Sequence, residues 1–387
     1  MLTAFLIVGA ILVLTIVFLI FRVQTLVEVL RGSHKKRVGN SNRINALLFP
    51  LTFIAGMVGF VWFSFDAADK FLPEAASTHG VKIDQMFWLT MGILVFVFIL
   101  THILLFYFPY RYQYRETRKA LFYPDNNRLE IIWTAVPAVV LSLLVFTGWR
   151  VWTDVTAAVP EEHVQLEIVG KQFNWMVRYP GRDGQLGKHN YKAIDATNQM
   201  GLDMTDKANF DDFPAREIHI PKGVPVEFKI RARDVLHSVF LPHFRQKMDA
   251  VPGMPTRFWF TPTKTTAEMR EELGDQSFNY ELACTEVCGR NHFAMRMIVV
   301  VDEPEDYEEW YASEAKKSFV ASNPEYWLAQ VPAELRPIAE LEVSADKLME
   351  LQQKQSENST AAADEAESPV EVAEEEAERP AVSTASM

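Results

Sequence analysis

Four stretches of this chain are too long and too apolar for an ordinary water-soluble core. Leu2–Phe21 carries no charge and is apolar except for Thr3 and Thr15. Ala46–Phe65 and Ile131–Trp149 are also uncharged, and Met86–Phe108 has His102 in place of any Asp, Glu, Lys or Arg. Each run is about the ~20 residues needed to cross the hydrocarbon core as a helix, where every backbone polar group must be bonded internally. Four spanning helices are therefore predicted. A cleaved signal peptide would begin with a basic stretch, but no basic residue precedes Arg22, so the first run reads as an anchor. The mean hydropathy of −0.01 hides all of this, because it averages membrane spans with a polar remainder.

Loop charges give the expected orientation. Residues 22–45 hold Arg22, Arg31, Lys35, Lys36, Arg37 and Arg43 against one acid, Glu28. Residues 109–130 hold Arg111, Arg115, Arg118, Lys119 and Arg128. Between the second and third runs, residues 66–85 have only Lys70 and Lys82, against four acids. The positive-inside rule puts the first and third loops in the cytoplasm. Both termini, and everything beyond Trp152, are then expected outside it.

From Val164 the texture changes to short β-rich runs broken by Pro and Gly. Val164–Val169, Glu217–Ile220, Pro225–Ile230, Arg257–Phe260, Tyr280–Cys284 and Met295–Val301 read as strands, and Gly181–Asp212 as a long loop. A β-sandwich over 160–302 follows, with a helical extension over 303–340 in which Asp306–Ala321 forms a surface helix. The stretch 341–387 has twelve acids, three bases and no aromatic residue, so it reads as a disordered acidic tail. It supplies 3 − 12 = −9 of the net charge of −12. That acidity excludes a general nucleic-acid binder. Two cysteines exclude a disulfide-built scaffold, a four-cysteine zinc ribbon and a cysteine-held iron–sulfur cluster.

Both cysteines fall in one segment, Cys284-Thr-Glu-Val-Cys288-Gly-Arg-Asn-His292-Phe-Ala-Met295. Thiolate, imidazole and thioether form a soft ligand set, suited to copper rather than magnesium or calcium. One blue-copper ion needs a single Cys, whereas two thiolates can bridge two metals. Taken alone, the segment leaves open a disulfide or redox pair, since the compartment is oxidising, and another metal such as zinc, for which Met is a poor ligand.

A second segment contains Asp234-Val-Leu-His237-Ser and then Lys247-Met-Asp249-Ala-Val-Pro252-Gly253. Together the segments closely resemble subunit II of haem-copper cytochrome c oxidases, whose pattern is D-V-x-H-S, K-x-D-A-x-P-G and C-x-E-x-C-G-x-x-H-x-x-M. The likeness covers residues 86–312. It implies that the β-domain over 160–302 is an all-β cupredoxin, a Greek-key sandwich, so that the expected fold is four transmembrane α-helices, a cupredoxin domain and a disordered acidic tail. The hairpin 86–151 lies within the likeness, and the two additional helices of 1–65 lie outside it. By position it implies a dinuclear copper centre, CuA, with His237 and His292 as imidazole ligands. Cys284 and Cys288 are then the bridging thiolates, Met295 the weak thioether and Glu286 a ligand through its carbonyl. The Glu286 side chain is implied to reach a Mg or Mn ion shared with subunit I. His243 has no counterpart in the pattern and reads as an ordinary histidine.

Other matched positions extend the expectation. Glu130-Ile-Ile-Trp-Thr134 resembles a family segment whose glutamate opens a proton channel into subunit I at the cytoplasmic side. Gly170-Lys-Gln-Phe173-Asn-Trp175 resembles G-x-Q-W-x-W, where the first Trp receives electrons; this chain has Phe173 there, which leaves Phe173 and Trp175 as the candidates. No Cys-x-x-Cys-His occurs, so the electron donor is expected to be a separate cytochrome c or cytochrome c domain. The resemblance implies a subunit of a respiratory cytochrome c oxidase in a bacterial inner membrane, with subunits I and III as partners, a supercomplex as a setting, and oxygen reduction coupled to proton pumping. The competing reading is a membrane-tethered copper chaperone or sensor without electron traffic.

Overall fold

The computed structural model describes residues 2–30, 40–344, 347–349 and 353. The disorder expected of the acidic tail falls, beyond its first residues, outside the described ones. Among the described residues, four helices are long and apolar enough to cross a membrane: α1 (Leu2–Leu30), α2 (Asn40–Asp66), α4 (Thr78–Arg111) and α5 (Asn127–Val155). A single turn, α3 (Ala68–Phe71), follows α2. Leu14, Trp62, Phe96 and Trp149 all stand exposed along these helices, as side chains facing lipid must. Phe49 and Phe53 of α2 pack on Phe106 of α4, and Phe60 packs on Phe98.

Helix α4 starts eight residues before the uncharged run that begins at Met86. Its first turns carry charges that find partners beyond the membrane. Lys82 pairs with Asp154 in the last turn of α5, and Asp84 accepts two hydrogen bonds from Arg245 at 2.8 and 2.9 Å. The segment before α4 is stitched into the β-domain by Ala76 N–H to His243 O (2.7 Å), Thr263 N–H to Ala76 O (2.9 Å) and Ser77 Oγ to Phe244 O (2.8 Å). Trp259 Nε1 donates to Ala157 O just past α5. The β-domain thus sits on the end of the hairpin where α4 begins and α5 finishes.

That domain is two five-stranded sheets. One runs β3 (Phe213–Ala215), β2 (Asn174–Tyr179), β1 (Val164–Lys171), β5 (Val226–Ala232), β8 (Thr256–Phe260). The other runs β4 (Ile218–Pro221), β10 (Arg296–Asp302), β9 (Tyr280–Cys284), β6 (His237–Leu241), β7 (Gln246–Ala250). β1 with β5 and β4 with β10 are parallel, and the remaining pairs are antiparallel. Leu166, Ile168, Val177, Ile220, Phe228, Ile230, Val239, Leu241, Leu282 and Val299 fill the space between the sheets. Each such side chain contributes roughly 1.5–3 kcal/mol on burial. A capped helix, α6 (Thr266–Leu273), closes the connection from β8 to β9 through a Thr265–Glu268 capping box. Strands β2, β3, β6 and β7 were not among the expected six: polar residues such as Asn, Arg, His, Ser and Lys interrupt the apolar residues of β2, β6 and β7, and β3 is three residues long with Pro214 at its centre.

The extension is broken where a single helix was expected. α7 (Pro304–Glu314) gives way at Ser318, which caps α8 (Phe319–Ser322), and α9 (Pro324–Gln330) and α10 (Arg336–Ala339) follow. Val320, Trp327, Leu328, Val331, Ala339 and Val343 form a second core with Val169, Met200, Leu202, Met204 and Phe210. Packing therefore continues three residues past the boundary expected at 340. The 181–212 stretch is a loop, as expected, but one held inward by this core. Behind it lies a buried charge cluster in which Arg178 binds Glu167, Asp212 and Asn209 and Arg231 also binds Glu167.

Candidate metal centre

The sheet register delivers the ligands to one end of the sandwich. Val239 of β6 pairs with Cys284 at the end of β9, so His237, two residues back on the same face, overhangs the loop that leaves Cys284. That loop returns through a single turn at His292–Ala294, and Cys284 N–H bonds to Met295 O at 3.0 Å as β10 begins. Thr285 N–H donates to Ser238 O at 3.1 Å, tying loop to strand.

Around this closure the soft atoms converge. Cys284 Sγ lies 4.0 Å from Cys288 Sγ, 3.9 Å from His237 Nδ1 and 3.2 Å from the Glu286 carbonyl oxygen. Cys288 Sγ lies 3.6 Å from His292 Nδ1 and 3.8 Å from Met295 Sδ. His237, Cys284, Cys288 and Met295 are buried, while His292 is half-buried at the rim. Among the described residues this is the one group of His, Cys, Asp and Glu whose ligand atoms lie within 4.8 Å of one another, formed by His237, Cys284 and Cys288. All six residues expected from the sequence are thus brought together. The cysteines are not joined as a disulfide.

The electrostatics call for a cation. Burial and the adjacent Cys284 push the Cys288 thiol up to about 11. Two thiolates this close in a buried site cannot both ionise unless positive charge is placed between them. Two thiolates, two imidazoles, a thioether and a carbonyl suit copper and leave magnesium, calcium and structural zinc poorly matched. The donor set fits a dinuclear copper group.

The supporting residues were not singled out from the sequence. Asp234 Oδ1 lies 2.9 Å from His237 Nε2, while Asp234 Oδ2 accepts the Gln172 N–H at 2.8 Å. Burial would raise the Asp234 carboxyl, but its bonds to Gln172, His237 and Val235 more than offset this and hold it below the usual range. A carboxylate at Nε2 fixes the tautomer in which Nδ1 presents its lone pair to the sulfurs. Gln172 also donates from Nε2 to Cys288 O at 2.6 Å. Gly289, with φ of 135°, sits under the Phe173 ring; a Cβ there would meet that ring at 2.9 Å. An Asp three residues before a His on a turn was the sequence signal for the first of these contacts.

The two aromatic candidates separate. Trp175 is 1% exposed, packed edge-on to His237 with ring centroids 5.8 Å apart, so it is a core residue and not a surface contact. Phe173 is half-buried over Gly289. His243 stands apart from the sulfurs, its ring edge-on to Phe278 and Tyr280. Glu130 is exposed in the first turn of α5, roughly 38 Å along that helix from Val155, where the helix meets the β-domain.

Comparison with known proteins bears on this geometry directly. Residues 66–151 match the family described as cytochrome C oxidase subunit II, transmembrane domain, and residues 164–302 match the periplasmic domain of the same subunit. The chain belongs to the cytochrome c oxidase subunit II family. An alternative cytochrome c oxidase subunit 2 of Bradyrhizobium diazoefficiens is 34% identical over 245 residues, covering 63% of this chain and 83% of the relative. A cytochrome c oxidase subunit 2 of Thermostichus vulcanus is 30% identical over 265 residues, covering 62% and 77%. The crystal structure of the periplasmic domain of a Bradyrhizobium japonicum subunit II is 23% identical, with a TM-score of 0.29 over 42% of this chain and 99% of that one. Subunit II is a component of the terminal oxidase, so the chain is an oxidoreductase subunit: a membrane protein with an extracellular β-domain carrying a copper-type ligand group. Helices α1 and α2, up to Phe65, and the packed extension after Asp302 lie outside both family matches.

Proposed function

We propose that the β-domain is a one-electron relay built on a dinuclear copper centre. The observation that carries this reading is the convergence of Cys284, Cys288, His237, His292, Met295 and the Glu286 carbonyl within hydrogen-bond-like distances of the two sulfurs. Two copper ions held there would store one electron shared across both metals. The protein's part is to keep the ligands still. Asp234 clamps His237, close packing in the sandwich denies that imidazole room to swing, and the β9–β10 closure clamps the loop that carries His292, which keeps the structural change on reduction small.

On this reading the domain takes electrons from a separate cytochrome c and passes them to haem in subunit I, where oxygen is reduced to water with proton pumping. The Glu286 side chain, exposed on the same loop, reaches a Mg or Mn ion shared with subunit I. Glu130 takes up protons at the cytoplasmic end of α5, a membrane-boundary carboxylate with a functional reason to be there. Electrons enter over the face formed by Lys171–Asn174. Subunit III and a respiratory supercomplex complete the setting, in a bacterial inner membrane with both termini on the periplasmic side. Copper loading of the purified full-length protein, followed by visible and EPR spectra, tests the proposal. A mixed-valence dinuclear signature supports it; a mononuclear signal, or none, overturns it.

A further inference from the structure

The family's electron-receiving Trp is Phe173 in this chain, and Trp175 is buried, so the surface route to the metal centre has to be found elsewhere. Three contacts point to the residue just before Phe173. Gln172 is exposed, so a docked partner can touch it. Its Nε2 donates a 2.6 Å hydrogen bond to the carbonyl oxygen of Cys288, whose Sγ is one of the two sulfurs at the centre. Its backbone N–H is fixed to Asp234 Oδ2, so the residue is held at its root while the amide reaches the ligand loop. The Phe173 ring lies over Gly289 of the same loop and packs against the core by van der Waals contact. A ring in van der Waals contact offers a through-space step. Gln172 offers covalent bonds and one short hydrogen bond from solvent to Cys288, and electronic coupling decays less along bonded atoms than across a gap.

We propose that Gln172 is the residue through which electrons enter, its side-chain amide bridging the docked donor to Cys288. This rests on the reading of the site as a copper relay. One electron leaves the donor's ferrous haem, which becomes ferric, and passes through the amide and the Cys288 carbonyl and side chain to reduce the copper pair by one electron. No bond forms or breaks and no proton is transferred. Asp234 is a positioning residue in this scheme: it holds the Gln172 backbone and His237 at once, and so fixes the donor-facing and ligand ends of the route relative to each other.

The test uses the oxidase holoenzyme with Gln172→Met, which keeps the side-chain length and the backbone bond to Asp234 but removes the donor, and with Phe173→Leu. Reduced soluble cytochrome c serves as the probe in stopped-flow mixing at saturating concentration. Gln172→Met is expected to slow the first-order reduction of the centre by about tenfold or more, and Phe173→Leu by less than about twofold. The visible and EPR spectra of both variants, and the Kd of the probe for copper-free protein, should match the unmutated chain. An unchanged rate in Gln172→Met, or an equal loss in Phe173→Leu, overturns the inference. So does an altered copper spectrum in Gln172→Met, which would make the residue a structural support. If the unmutated protein itself shows no dinuclear spectrum, the relay reading fails first and takes the inference with it.

Discussion

The Nε2 atom of His237 lies 2.9 Å from Oδ1 of Asp234, although the imidazole is fully buried and the carboxylate is one-third exposed. The carboxylate therefore reaches in from the rim to orient a ligand that the strand alone only places. Removing such an outer partner from a metal-bound histidine commonly costs about 10–100-fold in metal affinity. Asp234→Ala should lower copper affinity by that order while leaving the four helices and both sheets intact. Competition with a chelator of known affinity measures it, and circular dichroism controls for folding. An affinity within twofold of the unmutated protein would refute the positioning role.

Cys284 and His243 make a paired prediction. Cys284 meets His237, Cys288 and the Glu286 carbonyl, whereas His243 packs between Phe278 and Tyr280, and burial together with Arg245 pushes its imidazole down to about 4. Cys284→Ser should abolish the dinuclear copper spectrum. His243→Ala should leave that spectrum unchanged and cost only stability, on the order of 1–3 kcal/mol for a buried ring truncated in a packed site. Copper titration followed at visible wavelengths distinguishes the two. Loss of the spectrum in His243→Ala would reverse the ligand assignment.

Much of this was legible in the sequence because it depends on local chemistry. Four uncharged runs can only be satisfied in lipid, and two cysteines, a histidine and a methionine within twelve residues leave few uses. What was not legible depends on partners far along the chain. Helix α4 absorbs Lys82 and Asp84 because Asp154 and Arg245 meet them. Strand β6 opens with His237 and Ser238, which break any apolar alternation, and it forms because β7 and β9 flank it. Trp175 was one of two candidates for electron entry, and its strand turns it inward against His237. Asp306–Ala321 reads as one surface helix, yet the chain breaks at Ser318, and Val320, Trp327 and Val343 find an apolar face on the 181–212 loop.

Glu167 and Asp212 share Arg178 but respond to it in opposite ways, and this predicts a pH profile. Burial alone would raise the Glu167 carboxyl, but Arg178 and Arg231 together hold it at about 2, below its ordinary 4.5. Its contribution, on the order of 3 kcal/mol, is full above pH 4.5 and is lost as pH falls through about 2. Burial pushes Asp212 up to about 7 against the single guanidinium of Arg178, and among the described residues its Oδ1 has no hydrogen-bond partner. A raised carboxyl stabilises most below its unfolded value of 3.8, and that stability is lost as pH rises through about 7. Thermal unfolding across pH 2–8 should therefore peak at about pH 4–5. Glu167→Gln should remove the fall on the acid side, and Asp212→Asn the decline towards neutrality. Profiles of the same shape in both variants would show that the cluster does not govern the pH response.

Trp327 is 2% exposed and lies at the middle of the second core, far along the chain from every ligand. Truncating a buried tryptophan costs about 3–5 kcal/mol when the site cannot collapse around it. The cost should fall on the extension and the 181–212 loop, which Trp327 joins through Met200, Leu202 and Val320. The copper ligands sit on β6, β9 and the β9–β10 loop, held by the first core. Trp327→Ala should therefore raise protease sensitivity within 181–212 and 318–343 while leaving the copper spectrum as it was. Limited proteolysis read by mass spectrometry, with the visible spectrum recorded on the same sample, decides it. Loss of the copper signal together with loop cleavage would show that the extension supports the metal centre itself, and that the two cores fold as one.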